Sequence, residues 1–305
     1  MRLLQRLSNA VKTGGVKEVI RKLHWKRIYR TNNRRTFDYI NRSKLAYGLN
    51  TSESREEKVI ISLTSFPSRL PTLHKCLKSL LLQDTKADAI IVYFGCDVTQ
   101  EMLTPELKEM GKYGITYKYN ADENLRSYKK FYYALQDYPN DLIVTVDDDV
   151  YYPRYWLTSF LETHNRFPDC VCAWRLHKMR SQNGILLPYN QWFDQYRSCL
   201  TPSFSLFPTG VGGILYPPGS LNSHVMDKEV FTKLCFTCDD IWLKVMCVLN
   251  GTKTVWVPSR EICFCEVEKK QEYALLNENV GKSANDIVLN KVMKMFSVTP
   301  NMFFE

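Results

Sequence analysis

Short apolar runs and striped segments alternate along residues 58–150. Lys58-Val-Ile-Ile-Ser-Leu-Thr64 is a continuous apolar run of strand length, closed by Ser65-Phe66-Pro67. Pro71 then opens a helix whose apolar stripe is Leu73, Cys76, Leu77, Leu80 and Leu81. A second run, Ala89–Phe94, ends at Gly95-Cys96-Asp97, and a Pro105-led helix reaches about Gly111. Ile115–Tyr119 predicts a third strand. A helix with Tyr128, Phe131, Tyr132 and Leu135 on one side follows it. The fourth run, Leu142-Ile-Val-Thr-Val146, stops at Asp147-Asp148-Asp149. This β-α-β-α-β-α-β order with short loops predicts an α/β fold with a doubly wound, mainly parallel sheet flanked by helices. Such sheets bind ligands at the carboxyl ends of their strands, and Thr64–Arg69, Cys96–Asp97 and Asp147–Asp149 fall on that one edge.

Beyond Asp149 the pattern becomes less regular. A helix carries Trp156, Leu157, Phe160 and Leu161, and Val171–Leu176 predicts a strand. Aromatic and amide residues crowd positions 189–196, and glycines cluster between Phe207 and Gly219. Stacking aromatics with amides suit a sugar. Asp239-Asp240 head a helix whose buried face is Ile241, Trp242, Val245, Met246 and Leu249. A late strand, Thr254–Pro258, and a helix over 284–296 complete the body. The expected organisation is an arm and linker over 1–57 and one domain over 58–305. Within that domain, 58–150 would bind nucleotide, 151–265 would bind acceptor, and 266–305 would close the body with a helix.

Charge separates the arm from the body. Residues 1–35 hold eleven Lys/Arg against the single acid Glu18, while the whole chain carries +9, so the body is close to neutral. Leu3, Leu4, Leu7, Ala10 and Val11, and then Val16, Val19, Ile20 and Leu23, fall on apolar helical faces opposite basic ones. With Trp25 as an anchor, residues 1–35 suit an anionic membrane surface; a helix docked on the body with a solvated basic face is the plainer alternative. The body has no basic field or recognition module, so nucleic acid is not an expected partner. No apolar run reaches the ~20 residues of a spanning helix, and no signal-type apolar run follows the basic start. The ten cysteines lie mostly in apolar segments and read as buried thiols of a cytosolic protein. The pairs Cys235/Cys238 and Cys263/Cys265 lack the partners a zinc site needs. There is no Walker A motif, and no GxGxxG follows the first strand.

Three acids directly behind a buried strand are costly unless a cation neutralises them. Oxygen ligands suit Mg2+ or Mn2+; a solvated acidic turn is the alternative. Asp239-Asp240 could simply complement a helix macrodipole. A second carboxylate pair beside a metal tip instead suggests chemistry on a diphosphate. The cation, on Asp147 and Asp149, would stabilise charge on a phosphate leaving group. Asp239 or Asp240 would take a proton from an attacking hydroxyl.

With these motifs in order, residues 58–265 resemble the GT-A (Rossmann-like) glycosyltransferases, in particular family-2-like bacterial enzymes that build surface polysaccharides such as lipopolysaccharide. The resemblance implies that Thr64, Ser65, Phe66, Pro67 and Arg69 form the first nucleotide-contacting loop. It places Asp97 on the base, and Asn124, Lys129 and Lys130 near the donor phosphates. Asp147-Asp148-Asp149 matches the DXD motif, whose outer acids face metal and ribose. Trp174, Arg175, Trp192, Gly212 and Gly213 would line the acceptor side, and the second acid of Asp239-Asp240 would be the base. The chain departs from the pattern in two places: its first loop lacks Pro-x-Tyr-Asn, and its second strand ends in Gly-Cys-Asp rather than Asp-Asp-Gly-Ser. Some members use a histidine as third metal ligand; His177 and His224 are loose candidates, read first as structural or surface residues. The resemblance thus implies an inverting transfer, dependent on Mn2+ or Mg2+, from a nucleotide-sugar (a UDP-sugar) to a saccharide or lipid-linked glycan. The enzyme would be cytoplasmic, peripheral at the inner face of the membrane. A non-catalytic glycan-binding scaffold is the alternative. A haloacid-dehalogenase-type phosphatase fits less well, because its acids follow the first strand and Tyr151 occupies the last position of its pattern.

Overall fold

A computed structural model describes residues 31, 33–120, 123–197, 199–258, 265–266 and 284–305. Strands buried on both faces build its central sheet. The strands β1 (Val59–Thr64), β2 (Ala89–Phe94), β3 (Ile115–Tyr119) and β4 (Leu142–Thr145) are parallel, with β1 between β4 and β2. Three shorter strands extend the sheet past β4: β5 (Val171–Ala173), β6 (Ile214–Tyr216) and β7 (Thr254–Trp256). The order is β7-β5-β6-β4-β1-β2-β3, and β6 is antiparallel to both of its neighbours. The expected mixed, mainly parallel sheet flanked by helices is present.

Alternate residues of each strand serve opposite cores. Ile60, Ile91, Ile143 and Ile214 face one core. It is completed by α3 (Lys129–Asp137), α5 (Lys228–Leu234), α6 (Asp239–Leu249) and α7 (Ala284–Met295). Ile61, Val92, Val144 and Leu215 face the other. That side is covered by α1 (Leu70–Leu81), α2 (Pro105–Met110) and α4 (Trp156–Arg166). The expected strand 171–176 is broken: β5 ends at Ala173, and Leu176–Lys178 pairs instead with Leu206–Pro208, outside the main sheet.

Residues 33–42 are helical, and the polar stretch after them is laid on the body. Gly48 N donates to Tyr113 O at 2.9 Å and Asn50 N to Ala87 O at 2.8 Å. Arg55 pairs with Asp88 at 2.9 Å. Residues 1–30, which carry most of the expected basic arm, lie outside the described residues.

One core position carries a charge-bearing side chain. Lys244, on α6, is fully buried, and its Nζ has no hydrogen-bond partner among the described residues. Burial pushes its pKa down to about 8. Below pH 8 the folded chain must charge this amine in an apolar setting, which costs on the order of 3 kcal/mol. The unfolded chain binds the proton more tightly, so the penalty fades as pH rises from about 8 towards 10.5. Lys244→Met should therefore stabilise the protein at pH 7 by about 1–3 kcal/mol, with the gain shrinking at pH 10. Denaturant midpoints at the two pH values measure it, and a loss of stability at pH 7 would contradict this reading.

Candidate active site

The parallel strands deliver three loops to one edge, and helix starts meet them there. In a βαβ unit the helix runs back against the strands, so α3 begins at this edge with Lys129 and Lys130. The loop entering antiparallel β6 contributes Gly210–Gly213, and α6 contributes Asp239 and Asp240 at its first turn.

The acidic turn after β4 is clamped from behind. Val146 N donates to Ser62 O at 3.0 Å. The buried Tyr152 hydroxyl accepts from Asp147 N at 2.9 Å and donates to Asp147 O at 3.1 Å. With its backbone held, the turn sends the three acids to different partners. Asp148 points inward, accepting from Ser65 Oγ and lying 2.6 Å from Arg69 Nη1. Burial pushes Asp148 up to about 6, against the pull of Arg69 and Ser65. The same guanidinium nitrogen lies 2.8 Å from Asp149 Oδ2. Burial works against the charge of Arg69, but Asp148 and Asp149 hold its pKa above the ordinary value. Asp148, Ser65 and Arg69 thus tie the turn to the β1–α1 loop.

Asp147 turns the other way, towards α3. Its Oδ1 lies 3.0 Å from Lys130 Nζ, and that nitrogen is 3.6 Å from Asp239 Oδ2. Burial disfavours the ammonium, but Asp147, Asp239 and Asp240 outweigh it and hold its pKa well above the usual lysine value. Gly210 N donates to both oxygens of Asp240, at 3.1 and 3.2 Å. Burial, then the neighbouring Asp239 charge, push Asp240 up to about 7, while Lys130 and the Gly210 N–H oppose the shift. A Cβ on residue 210 would sit 3.2 Å from Lys130 Nζ and 3.5 Å from Asp240 Oδ1. Glycine is what lets the backbone reach these groups. The glycine run was the signal for this segment, but it did not single out Gly210.

A second lysine serves the β2 loop. Lys129 Nζ donates to Asn124 Oδ1 at 2.9 Å and lies 4.0 Å from Asp97 Oδ1. Burial lowers its pKa, with Asp97 opposing. Among the described residues, Asp97 Oδ1 is buried with no hydrogen-bond partner. An orphaned acceptor of this kind asks for a donor from a ligand. Thr64 Oγ1 is turned back onto Tyr93 O at 2.8 Å, while Phe66 lies exposed with the Arg69 guanidinium 5.2 Å from its ring centre.

The acceptor-side expectations fare differently. Trp174 is only 1% exposed and stacks with Phe160 in the core on the α1/α4 side, so it cannot face an acceptor. Gly212 O accepts from Trp156 Nε1 at 2.7 Å. Gly213, at φ +94°, leaves room for that indole, since a Cβ there would lie 2.7 Å from Trp156 Cζ2. Both glycines are buried packing positions rather than contacts for a sugar. Trp192 is buried beneath Tyr189, with ring centres 4.8 Å apart. Arg175 is half-buried, and the Arg175 carbonyl accepts from Thr209 N at 3.1 Å.

For a divalent cation, Asp147 and Asp149 offer hard oxygen donors. Among the described residues no group of three or more His, Cys, Asp or Glu is placed to hold a metal. His177 Nδ1 lies 3.0 Å from Asp194 and His224 Nδ1 2.6 Å from Asp227, so neither histidine joins the acidic turn. Magnesium is commonly held by one or two carboxylates together with substrate phosphates. Two carboxylates at this edge fit a cation that arrives with a diphosphate.

The family model described as Glycosyl transferase family 2 matches residues 63–219, more than half of the chain. No curated protein matches the sequence. Among solved structures, the fold is similar to that of the mannosyltransferase PcManGT from Pyrobaculum calidifontis, in complex with GDP-Man and Mn2+. That similarity has a TM-score of 0.50 at 12% identity, and it covers 90% of this chain and 74% of that one. At such identity it speaks for the fold alone.

Proposed function

The chain belongs to glycosyl transferase family 2, and from that premise we propose that it transfers a sugar, with inversion, from a UDP-sugar to a hydroxyl of a saccharide or lipid-linked glycan, with Asp240 as general base. The observation that carries this reading is Asp240 itself, held by Gly210 N–H and pushed up to about 7. A carboxylate in that range is about half ionised at neutral pH, and its ionised form is basic enough to take the proton of an attacking hydroxyl. The acceptor oxygen then bonds to the sugar's anomeric carbon as the bond to the nucleoside diphosphate breaks, and the diphosphate leaves with the electron pair. Lys130 and Lys129, at the start of α3, supply fixed positive charge for those phosphates. Asp147 and Asp149 would hold Mn2+ or Mg2+, which adds positive charge at the leaving group. Asp148 acts by positioning the turn.

The orphaned Asp97 oxygen favours a base with one imide N–H, as in uracil; guanine would present two donors to a carboxylate. In a thermal melt, UDP with Mn2+ should raise Tm more than GDP with Mn2+. The full chain responding to neither nucleotide would favour a glycan-binding scaffold instead.

Residues 1–35 would hold the enzyme at an anionic membrane surface, on the strength of eleven basic residues against one acid. That placement fits a lipid-linked acceptor of surface-polysaccharide assembly. The full chain should cosediment with phosphatidylglycerol vesicles and a chain starting at residue 36 should not; sedimentation of both would sink this role.

A further inference from the structure

A cleft of about 350 Å³ opens between residues 186–191 and one face of α7. That volume lies within the ~300–1,000 Å³ typical of small-ligand sites. Asn190 and Gln191 stand on one wall, and Asp286, Leu289 and Asn290 on the other. The second set is spaced i, i+3, i+4, so it forms one helical face. Three primary amides, each both donor and acceptor, and one carboxylate suit vicinal hydroxyls. Leu186, Leu187 and Pro188 offer apolar surface for the C–H face of a ring. Among the described residues, no lysine or arginine lines the cleft, which favours a neutral ligand over phosphate or another anion.

The walls are braced and lie next to the catalytic cluster. Tyr189 N donates to Asp286 Oδ1 at 2.8 Å, joining one wall to the other. Trp192 Nε1 donates to Leu187 O at 2.7 Å. The Tyr189 ring packs against Trp192 and Phe207, and burial and then the Asp240 charge raise its pKa. Cys238, just before Asp239, donates through Sγ to Asn285 Oδ1 at 3.5 Å. The α7 wall thus reaches the Asp239–Asp240 pair through Asn285 and Cys238.

We infer that this cleft is a subsite for a neutral sugar unit of the acceptor, at least one residue away from the hydroxyl that is glycosylated. The acceptor class is then a neutral oligosaccharide rather than a monosaccharide. This rests on the transferase reading above.

The probe is an array of neutral di- and trisaccharides beside the matching methyl monosaccharides, bound by the full chain in the presence of UDP and Mn2+. The variants are Asn190→Ala with Asn290→Ala, and Asn290→Trp, which fills the cleft. Asn190 and Asn290 are exposed, so the fold should survive, as a melt will verify. Wild type should bind at least one oligosaccharide about tenfold more tightly than its monosaccharide units, and both variants should lose that preference. Their response to UDP should be unchanged. Absence of any oligosaccharide preference in the wild type, or its retention in both variants, overturns the subsite. Hydrolysis of nucleotide-sugars, measured alongside, separates the two failures. Hydrolysis without saccharide preference rejects the subsite alone, whereas no hydrolysis of any nucleotide-sugar rejects the transferase reading beneath it.

Discussion

Asp240→Asn should lower transfer by about 10²–10⁴-fold, the usual range for removing a general base, while binding of UDP stays within about twofold, since the amide keeps the size of the carboxylate. The wild-type kcat/KM should climb with pH through about 7, as Asp240 loses its proton. Asparagine has no proton to lose, so this limb should vanish in the variant. Stability should move the opposite way. Burial and Asp239 raise the folded pKa above the ordinary 3.8, so between about 4 and 7 the folded state holds a proton that the unfolded state has released. Stability from this group therefore falls as pH rises across that window. Asp240→Asn removes the penalty, so the variant should melt higher than wild type at pH 8 and show a smaller difference at pH 5. A variant that is inactive and less stable at pH 8 would point to a structural role instead.

Lys130→Met should be the most destabilising substitution at the site. The ammonium is buried, 3.0 Å from Asp147 and 3.6 Å from Asp239, and it also lowers the pKa of Asp240. Methionine fills a similar volume but leaves the carboxylates facing one another. Removing one partner from a buried charge cluster costs about 3–5 kcal/mol, or roughly 6–20 °C in Tm for a domain of this size. The loss should shrink at pH 5, where the carboxylates can take up protons in place of the lost cation. Millimolar Mn2+ should recover part of the melting temperature, because a divalent cation can replace the ammonium between the same oxygens. An unchanged Tm at pH 8 would mean that Lys130 does not neutralise the cluster.

The sheet was readable because short apolar runs and helical stripes alternate over 58–150, and the same order carried Thr64, Asp97 and Asp147–Asp149 to one edge. What each acid does there was less readable. Three consecutive carboxylates look alike along the chain, and the motif assigned the outer two, Asp147 and Asp149, to a cation. The turn, clamped by Tyr152, instead sends Asp147 to Lys130 and Asp239 and shares Arg69 between Asp148 and Asp149. Trp174 shares the parity of Cys172, and both side chains join the core on the α1/α4 side. Strands buried on both faces lose the polar alternation that would have revealed this. Gly212 and Gly213 looked like a ligand loop, yet the residue they accommodate, Trp156, lies far away in sequence. Asn285 and Asp286, at the start of α7, carried no sequence signal. Their meeting with Cys238 and Tyr189 depends on how distant elements pack.

The central claim is that Asp240 activates a saccharide hydroxyl against a nucleotide-sugar. Its most direct test is the rate of nucleotide release from a panel of UDP-sugars, with Mn2+ and pooled neutral oligosaccharides, by wild type and Asp240→Asn between pH 5.5 and 8.5. The expected result is saccharide-dependent release by the wild type, rising through about pH 7, and release at least about 100-fold slower by a variant that still binds UDP. Equal rates for the two proteins, or no release from any nucleotide-sugar, would contradict it.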